Sequence, residues 1–274
     1  MRVFICADIE GVAGVASRDE IYVNGIDWQS ARTRMTLETL AAIDGARAAG
    51  ATGFVVADSH GTATNLIPEM LPDDAELIRA WPRRLMMMEG VDHGAFACAL
   101  LLGHHAGASR VGGLAHSFAG KLFASLKLNG RDLPECALNA AIAGQYGVPT
   151  TMISGDDACV EEAREWLGLI EAVITKRSLG LFAEAGVSPT LVQTQIRAAA
   201  ERAVLASATT KPFRVEGPLT VDIDLKSPIM AEVLTYLPLF ERTGSHAIRF
   251  EAADAAEVAT RLQFLVMILP ALAV

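Results

Sequence analysis

Val3-Phe4-Ile5-Cys6-Ala7-Asp8-Ile9-Glu10-Gly11 is the stretch on which the reading of this chain turns. Five apolar residues form a run of strand length, and the run stops at two acids followed at once by glycine. Side chains alternate along a strand, so residues i and i+2 share a face about 6.5–7 Å apart. Two carboxylates on one face at the end of a core strand repel each other and lose hydration, and so require cations. A metal ion is the most economical one. The rest of the chain offers what such an ion would need in Asp58-Ser59-His60, His104-His105, His116 and Glu135, most of them just after an apolar run.

Working outward, segment 2–8 reads as a buried strand. Residues 28–49 place Met35, Leu37, Leu40, Ile43 and Ala46 at helical spacing and stop at Gly50, a helix C-cap. Gly53 to Ala57 is a second strand leading into Asp58, and Ala97 to Leu102 a third ending at Gly103. Helices are expected over 137–146, 158–168, 189–208 (with Ser188-Pro189 as N-cap and N1) and 254–268, and a strand over 149–153. Residues 213–225 alternate in the manner of a strand. Strands alternating with helices predict an α/β fold with a central, largely parallel sheet flanked by helices. Pro212 and Pro218 mark a change in texture. The expected organisation is one catalytic unit over 1–274, with a metal-binding α/β core over about 1–175 and a smaller C-terminal α+β subdomain over about 176–274.

Composition bounds the function. The chain has 274 residues, 51% of them hydrophobic and 20% charged, which is a globular balance with material for a sizeable core. Its net charge of −9 argues against a nucleic-acid partner, since phosphate binding needs clustered Lys and Arg. The longest apolar stretch, Phe264 to Val274, falls short of the roughly 20 residues of a membrane span. The N-terminus opens directly into a strand, so a cytoplasmic location is expected. Cys6, Cys98, Cys136 and Cys159 have no CxxC spacing and read as free thiols.

In open α/β sheets, ligands collect outside the carboxyl ends of the strands. Three expected strands end at Asp8/Glu10, Asp58/His60 and His104/His105, which the topology brings to one rim. Imidazole nitrogens with carboxylate oxygens suit zinc, and a bridging carboxylate with terminal ligands on each side suits two ions. Each signal alone has a plainer reading. Asp8 could cap a helix or sit in a salt bridge, Asp58 could cap the next helix, and His60 could be a satisfied core histidine. No Gly-x-Ser-x-Gly elbow and no Walker-type phosphate loop is present.

Taken together the motifs resemble those of the DppA-type D-aminopeptidases, a zinc metallopeptidase family. The matching stretches are Asp8-Ile9-Glu10-Gly11-Val12-Ala13-Gly14, Asp58-Ser59-His60, Asn65-Leu66, Met88-Glu89-Gly90 and Leu102-Gly103-His104-His105-Ala106. Ala115-His116-Ser117, Glu135-Cys136-Ala137-Leu138-Asn139-Ala140 and Gly155-Asp156-Asp157 complete them. The resemblance implies two zinc ions per chain bridged by Asp8, with Glu10 and His105 on one and His60 and Glu135 on the other. It makes His116 the catalytic histidine, described in the family as a nucleophile. On chemical grounds, proton transfer or oxyanion stabilisation serves equally. It also implies a ring-like homo-oligomer. One departure is His104, where the family usually has an aromatic residue. Neighbouring residues on a strand face opposite sides, so His105 is taken as the ligand and His104 as its support or part of the pocket. A second departure is the poorly matching segment 176–189, which bears on the preference for D-residues.

The expected function is therefore a dizinc aminopeptidase releasing an N-terminal D-amino acid from short peptides. A metal-dependent amidase or esterase on another small substrate, and a non-catalytic metal- or solute-binding protein, are the alternatives.

Overall fold

The structure, a computed structural model, describes residues 1–272. The first half runs β1 (Arg2–Ala7), α1 (Arg18–Ile21), α2 (Trp28–Ala48), β2 (Gly53–Asp58), β3 (Ala75–Ile78), β4 (Phe96–His104), β5 (Phe123–Leu128), β6 (Arg131–Asp132) and α3 (Glu135–Gln145). It continues through β7 (Thr150–Asp156), α4 (Asp157–Leu167), β8 (Glu171–Gly180), β9 (Ala183–Gly186) and α5 (Pro189–Ala206). The chain then forms β10 (Leu219–Leu225), α6 (Pro228–Leu234), β11 (Glu241–Arg242), β12 (Ala247–Ala252) and α7 (Ala255–Ile268).

Two sheets result. The larger has the order β3-β2-β1-β4-β7-β8-β9, parallel throughout except for the edge strand β9. A parallel strand covered on both faces reads as an unbroken apolar run, which is why Val3 to Ala7 shows no alternation. Val3 and Ile5 enter the core shared with Met35 and Ile43 of α2 and Val192 and Ile196 of α5. Phe4 and Cys6 enter the opposite core, shared with Leu138 and Ile142 of α3. The smaller sheet is antiparallel, in the order β11-β12-β10-β5-β6.

The division anticipated near residue 176 coincides with neither sheet. That position lies inside β8, a strand of the larger sheet, while the smaller sheet takes β5 and β6 from residues 123–132. Helix α5 returns to pack against α2 on the larger sheet. The alternating segment 213–225 is a strand only from Leu219 onward.

The mean hydropathy of 1.5 over Ala255–Leu272 would suit a membrane-crossing segment, but the fold puts one face of α7 to another use. Val258, Ala259, Leu262 and Leu265 are buried in the core that the smaller sheet shares. Phe264, Met267 and Ile268 stay exposed at spacings of three and four, a single stripe along the helix. Ala273 and Val274, the end of the apolar C-terminus read from sequence, lie outside the described residues.

Strand order reverses between β1 and β4. From β1 the chain builds outward through β2 and β3, and from β4 it builds the other way through β7 and β8. The crevice at the carboxyl ends of strands flanking such a switch point is where ligands bind in this architecture.

Candidate metal centre

Asp8 and Glu10 leave the end of β1, His60 follows β2 by two residues, and His104 ends β4 with His105 directly after it. The backbone locks these ends together. The Asp8 amide donates to the Leu102 carbonyl at 2.9 Å and the Gly11 amide to the Gly103 carbonyl at 2.7 Å. Two glycines permit so close an approach: Gly103 has φ +65°, and a Cβ at Gly11 would lie 1.9 Å from the His104 carbonyl oxygen. Across the rim, Asp58 organises the loop after β2. Its Oδ2 accepts the amides of Asn65 and Leu66 at 2.5 and 2.7 Å, and the Asn65 side chain donates onward to the His60 carbonyl at 2.7 Å. Asp58 is thus the anchor of the His60 loop and not the cap of the next helical turn, which starts at Pro68 after Ile67.

Glu135 comes from a different layer. It is the first residue of α3, after Pro134 at the N-cap, and it is buried rather than solvated. Its Oε1 accepts the Phe118 amide at 2.5 Å, tying it to the loop that carries His116. Leu114 and Phe118, on either side of His116, both have positive φ, at 54° and 56°. Backbone strain of this kind, at non-glycine residues, gathers around functional side chains.

The structure brings all six expected residues into one cluster. His60 Nδ1 lies 2.8 Å from Glu10 Oε2 and 3.4 Å from Asp8 Oδ1. His105 Nε2 lies 3.6 Å from Asp8 Oδ2 and 3.5 Å from Glu135 Oε1. His116 Nε2 lies 3.9 Å from Glu10 Oε1, and its ring stacks on that of His105 with centroids 4.1 Å apart. Asp8 is common to both halves. The direct contacts pair Glu10 with His60 and Glu135 with His105, whereas the resemblance implied Glu10 with His105 and His60 with Glu135. Glu10, His105 and His116 also present ligand atoms within 4.8 Å of one another, so the cluster is continuous and Asp8 is central in either partition.

Each of the three histidines spends one ring nitrogen on a main-chain carbonyl. His60 Nε2 donates to Ile21 at 2.6 Å, His105 Nδ1 to Ala106 at 2.9 Å and His116 Nδ1 to Leu114 at 2.9 Å. Such bonds fix the tautomer and aim the other nitrogen, the arrangement that surrounds metal-ligating imidazoles. In a neutral His60 the Nδ1 lone pair then faces the Glu10 carboxylate. Glu10 Oε2 is buried with no aligned hydrogen-bond donor among the described residues. Two lone pairs at 2.8 Å repel unless a cation joins them, either a proton or a metal. The donor set of carboxylates and imidazoles is that of zinc. These residues fit a pair of divalent cations.

The electrostatics carry the same demand. Burial raises the Asp8 carboxyl to about 8, with the charge of Glu10 adding to it. Burial works against charge at Glu10 and Glu135 too, but facing imidazoles outweigh it: His60 holds Glu10 well below the usual carboxylate range, and His105 holds Glu135 at about 2. The same partners hold His60 and His105 well above the ordinary histidine value despite burial. Burial, reinforced by the charge of His105, pushes His116 down, so it is the neutral base of the cluster.

His104 behaves differently. It is fully buried, and among the described residues neither ring nitrogen has a hydrogen-bond partner, while burial lowers its pKa to about 4. It nevertheless reaches within 4.8 Å of Asp8 and Glu135 ligand atoms, so the rim does not turn it fully away from the cluster.

Sequence reasoning missed the residues that hold this centre from behind. Thr175 and Lys176 of β8 donate to the main-chain carbonyls of Gly11, Glu10 and Val15, and Glu38 of α2 accepts the Ala13 amide at 2.9 Å. The one available signal was a lysine in the otherwise uncharged run Ala172-Val173-Ile174-Thr175-Lys176.

Comparison with known proteins agrees with the geometry. A D-aminopeptidase from Bacillus subtilis (strain 168) is 30% identical over 260 residues, covering 94% of this chain and 93% of its own. The solved structure described as "Zn-dependent D-aminopeptidase DppA from Bacillus subtilis, a self-compartmentalizing protease" superposes with a TM-score of 0.92 at 28% identity, over 98% of this chain and 97% of that one. The sequence profile of the D-aminopeptidase family matches residues 1–264, and the chain belongs to that family of peptidases.

Proposed function

We propose that this chain is a dizinc aminopeptidase that removes an N-terminal D-residue from short peptides. Asp8, common to both halves of the cluster, would be shared between the two ions, and Glu10, His60, His105 and Glu135 would complete their ligands. The observation that carries the reading is the pair of imidazoles with tautomers fixed by main-chain carbonyls, each aiming its free nitrogen at Asp8 and a second carboxylate. When bound, two zinc ions supply Lewis-acid polarisation of the scissile carbonyl and a water acidic enough to attack at neutral pH.

The chain's own residues do the rest. His116 is neutral, with its proton held on Nδ1 by the Leu114 carbonyl, so Nε2 is free to accept a proton and return it to the departing amine. Its side chain is a quarter exposed where the other members of the cluster are buried, which sets it on the substrate side.

The relative's self-compartmentalizing assembly suggests a ring-like homo-oligomer here as well, and the exposed Phe264, Met267 and Ile268 stripe would be covered in one. Four buried free cysteines suit a reducing, cytoplasmic setting.

The test is hydrolysis of D-alanyl and L-alanyl dipeptides beside their N-acetylated forms. Turnover of the free D-dipeptide with no cleavage of the acetylated one supports the reading. Equal cleavage of both would make the chain an amidase indifferent to the amine, and preference for the L-series would remove the D-specificity.

A further inference from the structure

The loop from Asp8 to Val15 has an unusual course. It leaves β1 and crosses the rim toward β8, three strands away in the sheet order β1-β4-β7-β8. At a strand spacing of about 4.8 Å that is a span of roughly 14 Å. Main-chain carbonyls carried across the ends of other strands have no ladder partner, and buried ones need a donor.

Strand β8 supplies the donors from two consecutive residues. The Thr175 hydroxyl donates to the Gly11 carbonyl at 2.5 Å. The Lys176 ammonium donates to the carbonyls of both Glu10 and Val15. The Lys176 side chain is 0% exposed, and burying an ammonium costs several kcal/mol unless it is paired. Its counter-charge is Glu184 of β9, 2.7 Å away and itself 10% exposed. That contact is an ion pair rather than an aligned hydrogen bond, because Glu184 Oε2 has no aligned donor among the described residues. The same hairpin touches the second functional loop: Ser178 Oγ accepts the Gly113 amide at 2.8 Å and the Leu181 carbonyl accepts the Leu114 amide at 2.8 Å.

We infer that Lys176 is a positioning residue for Glu10: its ammonium, neutralised by Glu184, fixes the Glu10 peptide and so the direction in which that carboxylate meets its metal. Lys176 touches neither substrate nor reacting atoms. It sets the carboxylate through the main chain, with Thr175 holding the next carbonyl. The inference rests on the metal-binding reading of the centre.

A buried ion pair could serve stability alone, and the experiment separates the two roles. The double variant K176M/E184L removes both charges together. Replacing a buried pair by apolar residues of similar size is often neutral or favourable for folding. The fold is expected to survive the loss of the pair, while the Glu10 and Val15 carbonyls lose their donor. Zinc affinity of each site is measured by competition with a chelator, alongside the melting temperature of the metal-free protein and kcat and KM on a D-alanyl dipeptide.

The expected result is a folded variant with one site unchanged and the other weakened about 10–100-fold, the range for losing a group that orients a ligand. kcat falls, with KM changing far less. T175V gives a smaller loss at the same site. Wild-type affinities at both sites in a folded double variant would overturn the inference. A double variant that does not fold would also overturn it, assigning the pair to stability. A wild-type chain that takes up no zinc would instead sink the metal reading itself, before any variant is compared.

Discussion

Zinc uptake by the metal-free chain is predicted to release three protons from its ligands at pH 7. In that chain Asp8 titrates at about 8, and His60 and His105 well above the ordinary histidine value, so all three hold protons at neutral pH. Glu10 and Glu135 lie below the usual carboxylate range and are ionised. Two imidazolium charges therefore balance two carboxylates, with Asp8 neutral between them. Ligation needs Asp8 ionised and both imidazoles neutral, so three protons leave the ligands as two ions bind, and ionisation of a metal-bound water adds to that count. The sign follows from the raised values: these groups keep their protons below their own pKa, and acid competes with metal. The ligand protons alone should raise the combined binding constant about 10³-fold per pH unit near pH 7, or about 4 kcal/mol. The slope should fall toward two protons once the pH passes the Asp8 value of about 8. Calorimetric titrations in buffers of different ionisation enthalpy count the protons directly. A count near zero at pH 7, or affinity flat between pH 6 and 8, would refute the charge assignment.

His116→Ala should keep its fold and both zinc ions while kcat falls roughly 10²–10⁴-fold, the range for an acid–base group; loss of metal would make His116 a ligand. His105→Ala should lose one ion and nearly all activity, while His104→Tyr keeps both; the reverse ranking in a zinc titration would move the ligand to His104. Glu38 is raised to about 7 by burial, so the folded state favours its protonated form and wild-type stability should fall as pH rises from 4.5 to 7. Glu38→Gln cannot titrate and should lack that loss, up to about 3 kcal/mol by pH 8 in denaturant unfolding; identical pH profiles for the two proteins would contradict it.

What was legible in the sequence was local. An apolar run stopping at acids or histidines marks the carboxyl end of a buried parallel strand, and three such ends gave Asp8, Glu10, His60 and His105 together. Glu135 was not legible in this way: nothing near it says that the α3 N-terminus points inward, and the family resemblance alone made it a metal ligand. Strand β8 stayed hidden because its apolar residues are broken by Thr175, Lys176 and Arg177, and what justifies a lysine there is a set of carbonyls some 160 residues earlier in the chain. The smaller sheet failed for the same reason. Phe123–Leu128 is a short alternating strand whose partner β10 lies about 90 residues later, and no local pattern announces that pairing.

The central claim is that Asp8 and its neighbours hold two zinc ions on which hydrolysis depends. Metal analysis of the purified chain beside its Asp8→Asn variant tests it most directly, with peptide hydrolysis followed before chelation, after chelation and after zinc is restored. The account predicts close to two zinc equivalents per chain in the wild type, activity abolished by chelation and regained with zinc, and neither ion firmly held by the variant. A metal-free preparation that hydrolyses peptide at the full rate would contradict it.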